Sequence, residues 1–460
     1  MMVDHVAGSY RDPGGFLYWR DGILYRQVNE PSAEPLAAFE SSGLYAEFAD
    51  NKLIVEHETV GIELAADSKA SMVIKPRLIE TLSYPYEWSF SQLKDAALLT
   101  LDIQARALRK NFSLKDASAY NVQFDNGKTI FIDTLSFDHY QEGKPWVAYG
   151  QFCRHFLAPL ALMAHIDVSL NKLLRTHIDG VPITLAAKLL PTRALLRPSL
   201  AMHIWMHART EQQVNQNRDS DANGRGNFSR NAFLGLIDSL RNAVNGLQWR
   251  PGGTEWFDYY EANNNYGEAG LEEKEQLVHS FLERFQPRTV WDLGGNTGRF
   301  SRIAAALGAS VVCFDIDPGC VESNYLHVKT NGESKVLPLL MDLGNPSPGL
   351  GWASAERISL AERGPADVVM ALGLVHHLAI GINVPFAMIA EMFSRVGRSL
   401  VIEFIPRGDS QIDKLLSTRN DVFVDYHEDR FRDAFSLYFN IVEAQQIPGT
   451  KRTLYAMEGK

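Results

Sequence analysis

The second half of the chain alternates short, continuous apolar runs with amphipathic stretches. Residues 290–293, 310–314, 336–340, 366–372 and 399–404 are runs of the length and β-branched content of strands buried on both faces. Between them, residues 272–285, 299–307, 318–330 and 431–439 carry apolar positions at helical spacing. Residues 441–444 and 453–457 close the chain as an antiparallel pair. Strand, helix, strand in repetition predicts an α/β fold with a mostly parallel, doubly wound sheet.

The first half has a different rhythm. Residues 16–19 and 23–28 read as strands, and Asp21-Gly22 between them is a type I′ hairpin signal. Residues 35–48 read as a short helix, 52–55 and 72–75 as strands. A long helix is expected over 92–110, with Leu93, Ala96, Leu99, Leu101, Ile103 and Leu108 at helical spacing. Two short strands flank Asp125-Asn126-Gly127, and helical patterning fills 146–206, with faces such as Phe152, Phe156, Leu160 and Met163. Residues 209–230 are polar and Asn-rich and offer little to bury. These changes predict an α+β domain over 1–206, a polar linker over 207–250 and an α/β domain over 251–460.

Composition narrows the class. Of 460 residues, 45% are hydrophobic and 22% charged, as in soluble globular proteins. No run of eighteen apolar residues predicts a membrane span, and no basic stretch followed by an apolar core predicts a secretory leader. Cys153, Cys313 and Cys320 lack framework spacing, which fits reduced thiols and a cytoplasmic location. A net charge of −10 argues against general nucleic-acid binding. The sign is uneven: residues 150–250 hold twelve Lys/Arg against six Asp/Glu, a solvated face or a surface that meets anions.

The chemistry concentrates after the first strand of the second half. Asp292-x-Gly294-x-x-x-Gly298 opens a helix, and Asp315 follows Gly294 by twenty-one residues, at the end of the next strand. Glycine lets such a turn be tight and lets a ligand approach the backbone, and a carboxylate at that distance suits ribose hydroxyls. A generic nucleotide fold shares these needs, but the spacing departs from GxGxxG. It resembles motif I of the class I S-adenosylmethionine-dependent methyltransferases, a resemblance that extends over residues 256–460. The resemblance implies S-adenosyl-L-methionine as cofactor and a Rossmann-like fold with a seven-stranded sheet. It implies Asp292, Gly294, Gly295, Asn296 and Gly298 around the amino-acid part of the cofactor. Asp315 with Ile316 would serve the ribose, Asp342 with Leu343 the adenine, and Leu372 the end of the fourth strand. Tyr259, Tyr260 and Tyr266 would form a lid. His376 and His377, at the carboxyl end of that strand, are candidate bases toward an acceptor. Glu403 and Arg407 fall near the acceptor side. Two adjacent histidines are not metal spacing, so no metal is expected. The phrases Leu374-Val375-His376-His377-Leu378 and Ile402-Glu403-Phe404-Ile405-Pro406-Arg407 are most similar to bacterial methyltransferases of the nodulation-protein type.

A second constellation lies in the first half. Asp116, then Asn121 five residues on, then a hairpin and Asp133, resembles the catalytic loop and metal-binding Asp of protein kinases and small-molecule phosphotransferases. The resemblance implies a degenerate kinase-like domain with Asp116 as base and Asn121 and Asp133 as ligand positions. Residues 8–15 keep no regular GxGxxG, and Arg26 stands where kinases use Lys. The expected protein is a methyltransferase acting on a small-molecule, glycan or other acceptor that the first domain recruits or modifies. A bifunctional kinase–methyltransferase and a non-catalytic scaffold that binds S-adenosylmethionine are the alternatives.

Overall fold

The computed structural model describes residues 3–216, 228–252, 254, 267–417 and 421–460. The chain forms two compact units, one of Met1–Trp249 with Leu350–Arg357, the other of Arg250–Gly349 with Ile358–Lys460.

The first unit begins with a five-stranded antiparallel sheet. Its strands are β1 (Val3–His5), β2 (Gly15–Arg20), β3 (Ile23–Asn29), β4 (His57–Val60) and β5 (Ala70–Pro76), ordered β1-β2-β3-β5-β4. Asp21 and Gly22 both adopt positive φ, 52° and 76°, as a type I′ turn requires. The single helix expected over 35–48 is two, Glu30–Ser41 and Leu44–Asp50, because Gly43 turns left-handed between them (φ 76°). Residues 52–55 form no strand: a turn leaves Ile54 in one isolated bridge to Phe131, and the strand comes later, as β4. Helix Phe90–Arg109 starts at a capping box in which Ser89 and Gln92 satisfy each other's backbone N–H groups. Beyond it, β6 (Phe112–Leu114) pairs with β9 (Phe137–His139), and β7 (Val122–Asp125) with β8 (Lys128–Phe131). Helical segments follow, from Tyr149–Phe152 to His207–Gln216.

Residues 207–250 are not a polar linker in their described part. Helix Arg230–Gly246 buries Phe233, Ile237, Leu240 and Val244, spaced for one helical face, and belongs to the first unit. Lys94 of helix Phe90–Arg109 donates to the carbonyls of Asn245 and Leu247 at its end.

The second unit is a seven-stranded sheet covered by helices. Its strands are β10 (Thr289–Leu293), β11 (Ser310–Asp315), β12 (Val336–Leu340), β13 (Ala366–Ala371), β14 (Gly397–Phe404), β15 (Phe439–Gln446) and β16 (Thr453–Gly459). They lie in the order β12-β11-β10-β13-β14-β16-β15. Neighbours run parallel up to β14, while β16 is antiparallel to both β14 and β15. The order reverses after β10, so a crevice opens at the carboxyl ends of β10 and β13, where such sheets bind ligands. The core joins Val278, Phe281 and Leu282 of helix Gly267–Phe285 to Val290, Val311, Val368 and Val401 of the strands. The three cysteines are buried and unbridged. Among the described residues no helix is long and apolar enough to cross a membrane.

Candidate active site

The turn after β10 is built by backbone bonds. Gly294 N and Gly295 N both donate to Phe314 O, at 2.8 and 3.0 Å, locking β10 to β11 as the chain turns away. Gly294 and Gly298 have φ of 74° and 82°, and Asn296 adopts 52° between them. A Cβ on Gly298 would lie 2.6 Å from the Asn324 side chain and 2.7 Å from that of Arg302, so helix Arg299–Ala306 starts there only because the residue is glycine.

The motif residues divide into two groups. Gly294, Asn296, Asp315, Ile316, Asp342, Leu343 and Leu372 line a cavity of about 380 Å³, together with His376 and His377. Asp292, Gly295 and Gly298 are not among its lining residues and hold the turn from behind. Asp292 is 1% exposed and accepts a 2.6 Å bond from Ser301 Oγ. A Cβ on Gly295 would lie 2.5 Å from Cys313 Sγ, so glycine is needed there for packing.

Asp315 sits where β11 ends. Its Oδ2 accepts from Asn296 N at 2.7 Å and its Oδ1 from Asp317 N at 2.8 Å. Burial raises its carboxyl to about 6, against these hydrogen bonds. Asp292, also buried, is raised to about 6. Asp342 follows β12, its Oδ1 taken by Gly344 N at 2.9 Å. Ile316, 55% exposed, adds an apolar side chain to the cavity wall.

The histidines line the same cavity, their ring centroids 4.0 Å apart. Burial, then the neighbouring His377, Arg452 and Lys274, drives His376 well below the usual histidine range. Burial lowers His377 to about 4. Both are therefore neutral at physiological pH, and His376 Nδ1 is buried without a hydrogen-bond partner.

Lys274 lines the same cavity, and sequence reasoning missed it. Its Nζ lies 2.8 Å from Glu403 Oε2 and 4.7 Å from the centre of the Phe300 ring, and the residue is 3% exposed. Glu403, expected near the acceptor side, is not itself among the residues lining the cavity. It is fully buried between Lys274 and Arg452, and Arg452 is held in turn by Asp409 at 2.8 Å. Arg407 is committed elsewhere, to Asp421 and the carbonyls of Phe423 and Tyr426. Tyr259, Tyr260 and Tyr266 lie outside the described residues.

In the first unit the structure brings Asp116, Asn121 and Asp133 together. Asn121 Nδ2 donates to Ser136 Oγ at 3.3 Å, and Ser136 Oγ donates to Asp133 Oδ2 at 2.5 Å. Burial and the charge of Asp133 raise the Asp116 carboxyl, so the two acids are neighbours. Arg26 NH1 lies 2.6 Å from Asp133 Oδ1. Burial would push Asp133 up, but Arg26 and Ser136 outweigh it and hold it below its ordinary value. Among the described residues no group of three His, Cys, Asp or Glu is placed to hold a metal ion.

The whole chain has a relative among characterised proteins. It is 37% identical over 462 residues to nodulation protein NoeA of Rhizobium meliloti (strain 1021), covering 98% of this chain and 96% of that protein. The chain belongs to the NoeA family. No family model matches it. Among solved structures, the chain is similar to magnesium protoporphyrin IX methyltransferase (ChlM) from Synechocystis PCC 6803 with bound SAH. There the identity is 16% and the TM-score 0.31, over 44% of this chain and 98% of that one. It is also similar to the bifunctional kinase-methyltransferase WbdD, at 14% identity and a TM-score of 0.30, over 47% of this chain and 45% of that one. The NoeA relationship spans both units of this chain.

Proposed function

We propose that the second unit of this NoeA-family protein transfers a methyl group from S-adenosyl-L-methionine to a small-molecule or glycan acceptor. The observation that carries this reading is the convergence of the Gly294 turn, Asp315, Asp342 and the histidine pair on one cavity at the carboxyl ends of β10 to β13. The donor set fits the cofactor. Asp315 offers a buried carboxylate to two ribose hydroxyls, Asp342 an acceptor to an adenine amino group, and Ile316, Leu343 and Leu372 apolar walls to the ring. Lys274, beside the turn, suits a carboxylate. When bound, the cofactor supplies an electrophilic methyl group. The protein's own part is to align acceptor and methyl group and to exclude water, with a histidine taking the proton of a hydroxyl acceptor. Incubating the protein with cell extract and a methyl donor carrying a labelled methyl group tests the reading: labelled product supports it, and none from any fraction refutes it.

Asp315→Ala is expected to weaken cofactor binding about ten- to a hundredfold, since losing a hydrogen bond to a charged group costs roughly 1.5–3 kcal/mol. The same carboxylate sets a pH dependence. Raised to about 6, it carries its charge only above that pH, so wild-type affinity should fall as pH drops from 7 to 5. Asp292 titrates in the same range but makes no contact with the cavity, so the fall should vanish in Asp315→Asn. Calorimetry across that range checks both; unchanged affinity in the folded alanine variant would show that the ribose lies elsewhere.

The first unit we read as a kinase-like fold that has lost phosphotransfer and presents the acceptor. The meeting of Asp116, Asn121 and Asp133 supports the fold, and the Arg26–Asp133 pair opposes the activity. A guanidinium 2.6 Å from the carboxylate already neutralises the oxygen that a magnesium ion would need. Magnesium ATP should accordingly leave the melting temperature of the full chain unchanged. A rise abolished by Asp133→Asn would instead establish the bifunctional kinase–methyltransferase.

A further inference from the structure

The first unit carries an apolar, basic surface that neither site uses. Residues 166–209 hold six Lys/Arg against two Asp/Glu, a local excess of positive charge in a chain of net charge −10. At its centre the chain makes a short knuckle, the turn Thr192–Leu196 between Pro191 and Pro198. Ala194 and Leu200 are buried and anchor it. Everything between them that is large points outward: Leu196 is 84% exposed, the most open of the large apolar side chains described, and Leu195 is 40% exposed. Arg193 and Arg197 flank the leucines and are exposed as well.

The arginines are not spent on carboxylates. Arg193 NH2 donates to His165 O at 3.4 Å, and Arg197 NH1 donates to Gly246 O. These bonds set the knuckle against the end of helix Ala158–His165 and against the end of helix Arg230–Gly246. Ile166, next to His165, is 46% exposed. The helical segment Ala201–Met206 contacts the knuckle and adds Met202 and Met206, 45% and 61% exposed. Lys188 and Leu189, at the end of helix Ile183–Leu189, continue the alternation of cation and apolar side chain.

A leucine that open stands on a projection rather than in a groove. Large apolar side chains left in water cost free energy, and clustered ones mark an interaction site. Aliphatic tips ringed by cations are what the surface of an anionic bilayer accepts: leucine and methionine enter the level of the acyl chains, while guanidinium groups stay among the phosphates. A protein groove would supply apolar walls to the leucines but no reason for carbonyl-held arginines on both sides of them. We propose that this knuckle docks the protein peripherally on an anionic lipid surface, with Leu195 and Leu196 inserted and Arg193 and Arg197 on the headgroups.

The test is co-sedimentation of the full-length protein with vesicles of phosphatidylcholine alone or with phosphatidylglycerol added. Binding is expected only to the anionic vesicles, and high salt should release it. Arg193→Ala should weaken it about fivefold, and Arg193→Ala with Arg197→Ala about thirtyfold, because each basic residue near such a surface contributes about one kcal/mol. Leu195→Ser with Leu196→Ser should abolish sedimentation without changing the melting temperature, since both side chains are exposed. Three results would overturn the proposal. One is failure of the wild-type protein to sediment with anionic vesicles. Another is equal binding to neutral vesicles. The third is a wild-type dimer that the serine variant converts to monomer, which would assign the leucines to a second copy of the chain.

Discussion

Glu403→Ala should destabilise the second unit by about 3–5 kcal/mol, the expected cost of breaking a buried ion pair from one side. Glu403 is 0% exposed and stands between two cations that are themselves buried, Lys274 at 2.8 Å and Arg452 at 3.7 Å. Removing it leaves Arg452 to Asp409 and takes from the Lys274 ammonium, which stands over the Phe300 ring, its carboxylate at 2.8 Å. Burial already lowers the Lys274 ammonium, and Glu403 is the largest influence raising it. In the alanine variant Lys274 should shed its proton rather than stay charged in an apolar site. Urea denaturation reads the loss. Glu403→Gln separates charge from shape: it keeps an oxygen for Lys274 and should recover part of the stability. A loss below about one kcal/mol for the alanine variant would mean that water or a rearrangement satisfies Lys274, and that the cluster is not a fixed wall of the cavity.

That cluster also shows where sequence reasoning stops. The Gly294 turn, Asp315 and the five parallel strands were legible because each obeys a local rule. Apolar runs of strand length bury both faces, and a turn with positive φ demands glycine or asparagine. Lys274 obeys no local rule. Within Glu272-Glu273-Lys274-Glu275 it looks like part of a solvated helix face, and the partner that makes its burial tolerable lies 129 residues away. Glu403 was legible as a residue at the end of a strand but not in its direction, since only the fold places Arg452 and Lys274 on either side of it.

Helix Arg230–Gly246 failed for a different reason. Its apolar positions Phe233, Ile237, Leu240 and Val244 do keep helical spacing, but they follow an Asn-rich polar run that dominates the composition of the whole segment. The periodicity held the answer and the average concealed it. In the first unit the order of polar residues was readable and their partners were not. Asp116, Asn121 and Asp133 are brought together as their spacing suggested, but the Arg26 pair, formed across a hundred residues by the sheet, changes what they can do.

The histidine pair carries the largest expected effect on rate. If one of them takes the acceptor's proton, His376→Ala or His377→Ala should lower methyl transfer by about 10²–10⁴-fold, with cofactor affinity nearly unchanged. An ordinary histidine near 6.5 would give a rate that rises through neutral pH. Burial alters this. His377 lies at about 4, so it is largely deprotonated by pH 5, and His376 is driven well below its usual range in the same direction. His377 therefore contributes no break in the rate between pH 5 and 8, and a fall on the acid side should follow Asp315, at about 6, through cofactor binding. Measured at saturating cofactor, that fall should shrink while the defect of the alanine variant persists. A glutamine at either position preserves much of the ring's volume and hydrogen bonding but does not accept a proton, so it should rescue a residue that only positions the acceptor and fail to rescue a base. Full activity in both alanine variants would remove the pair from the chemistry and leave it as part of the cavity wall.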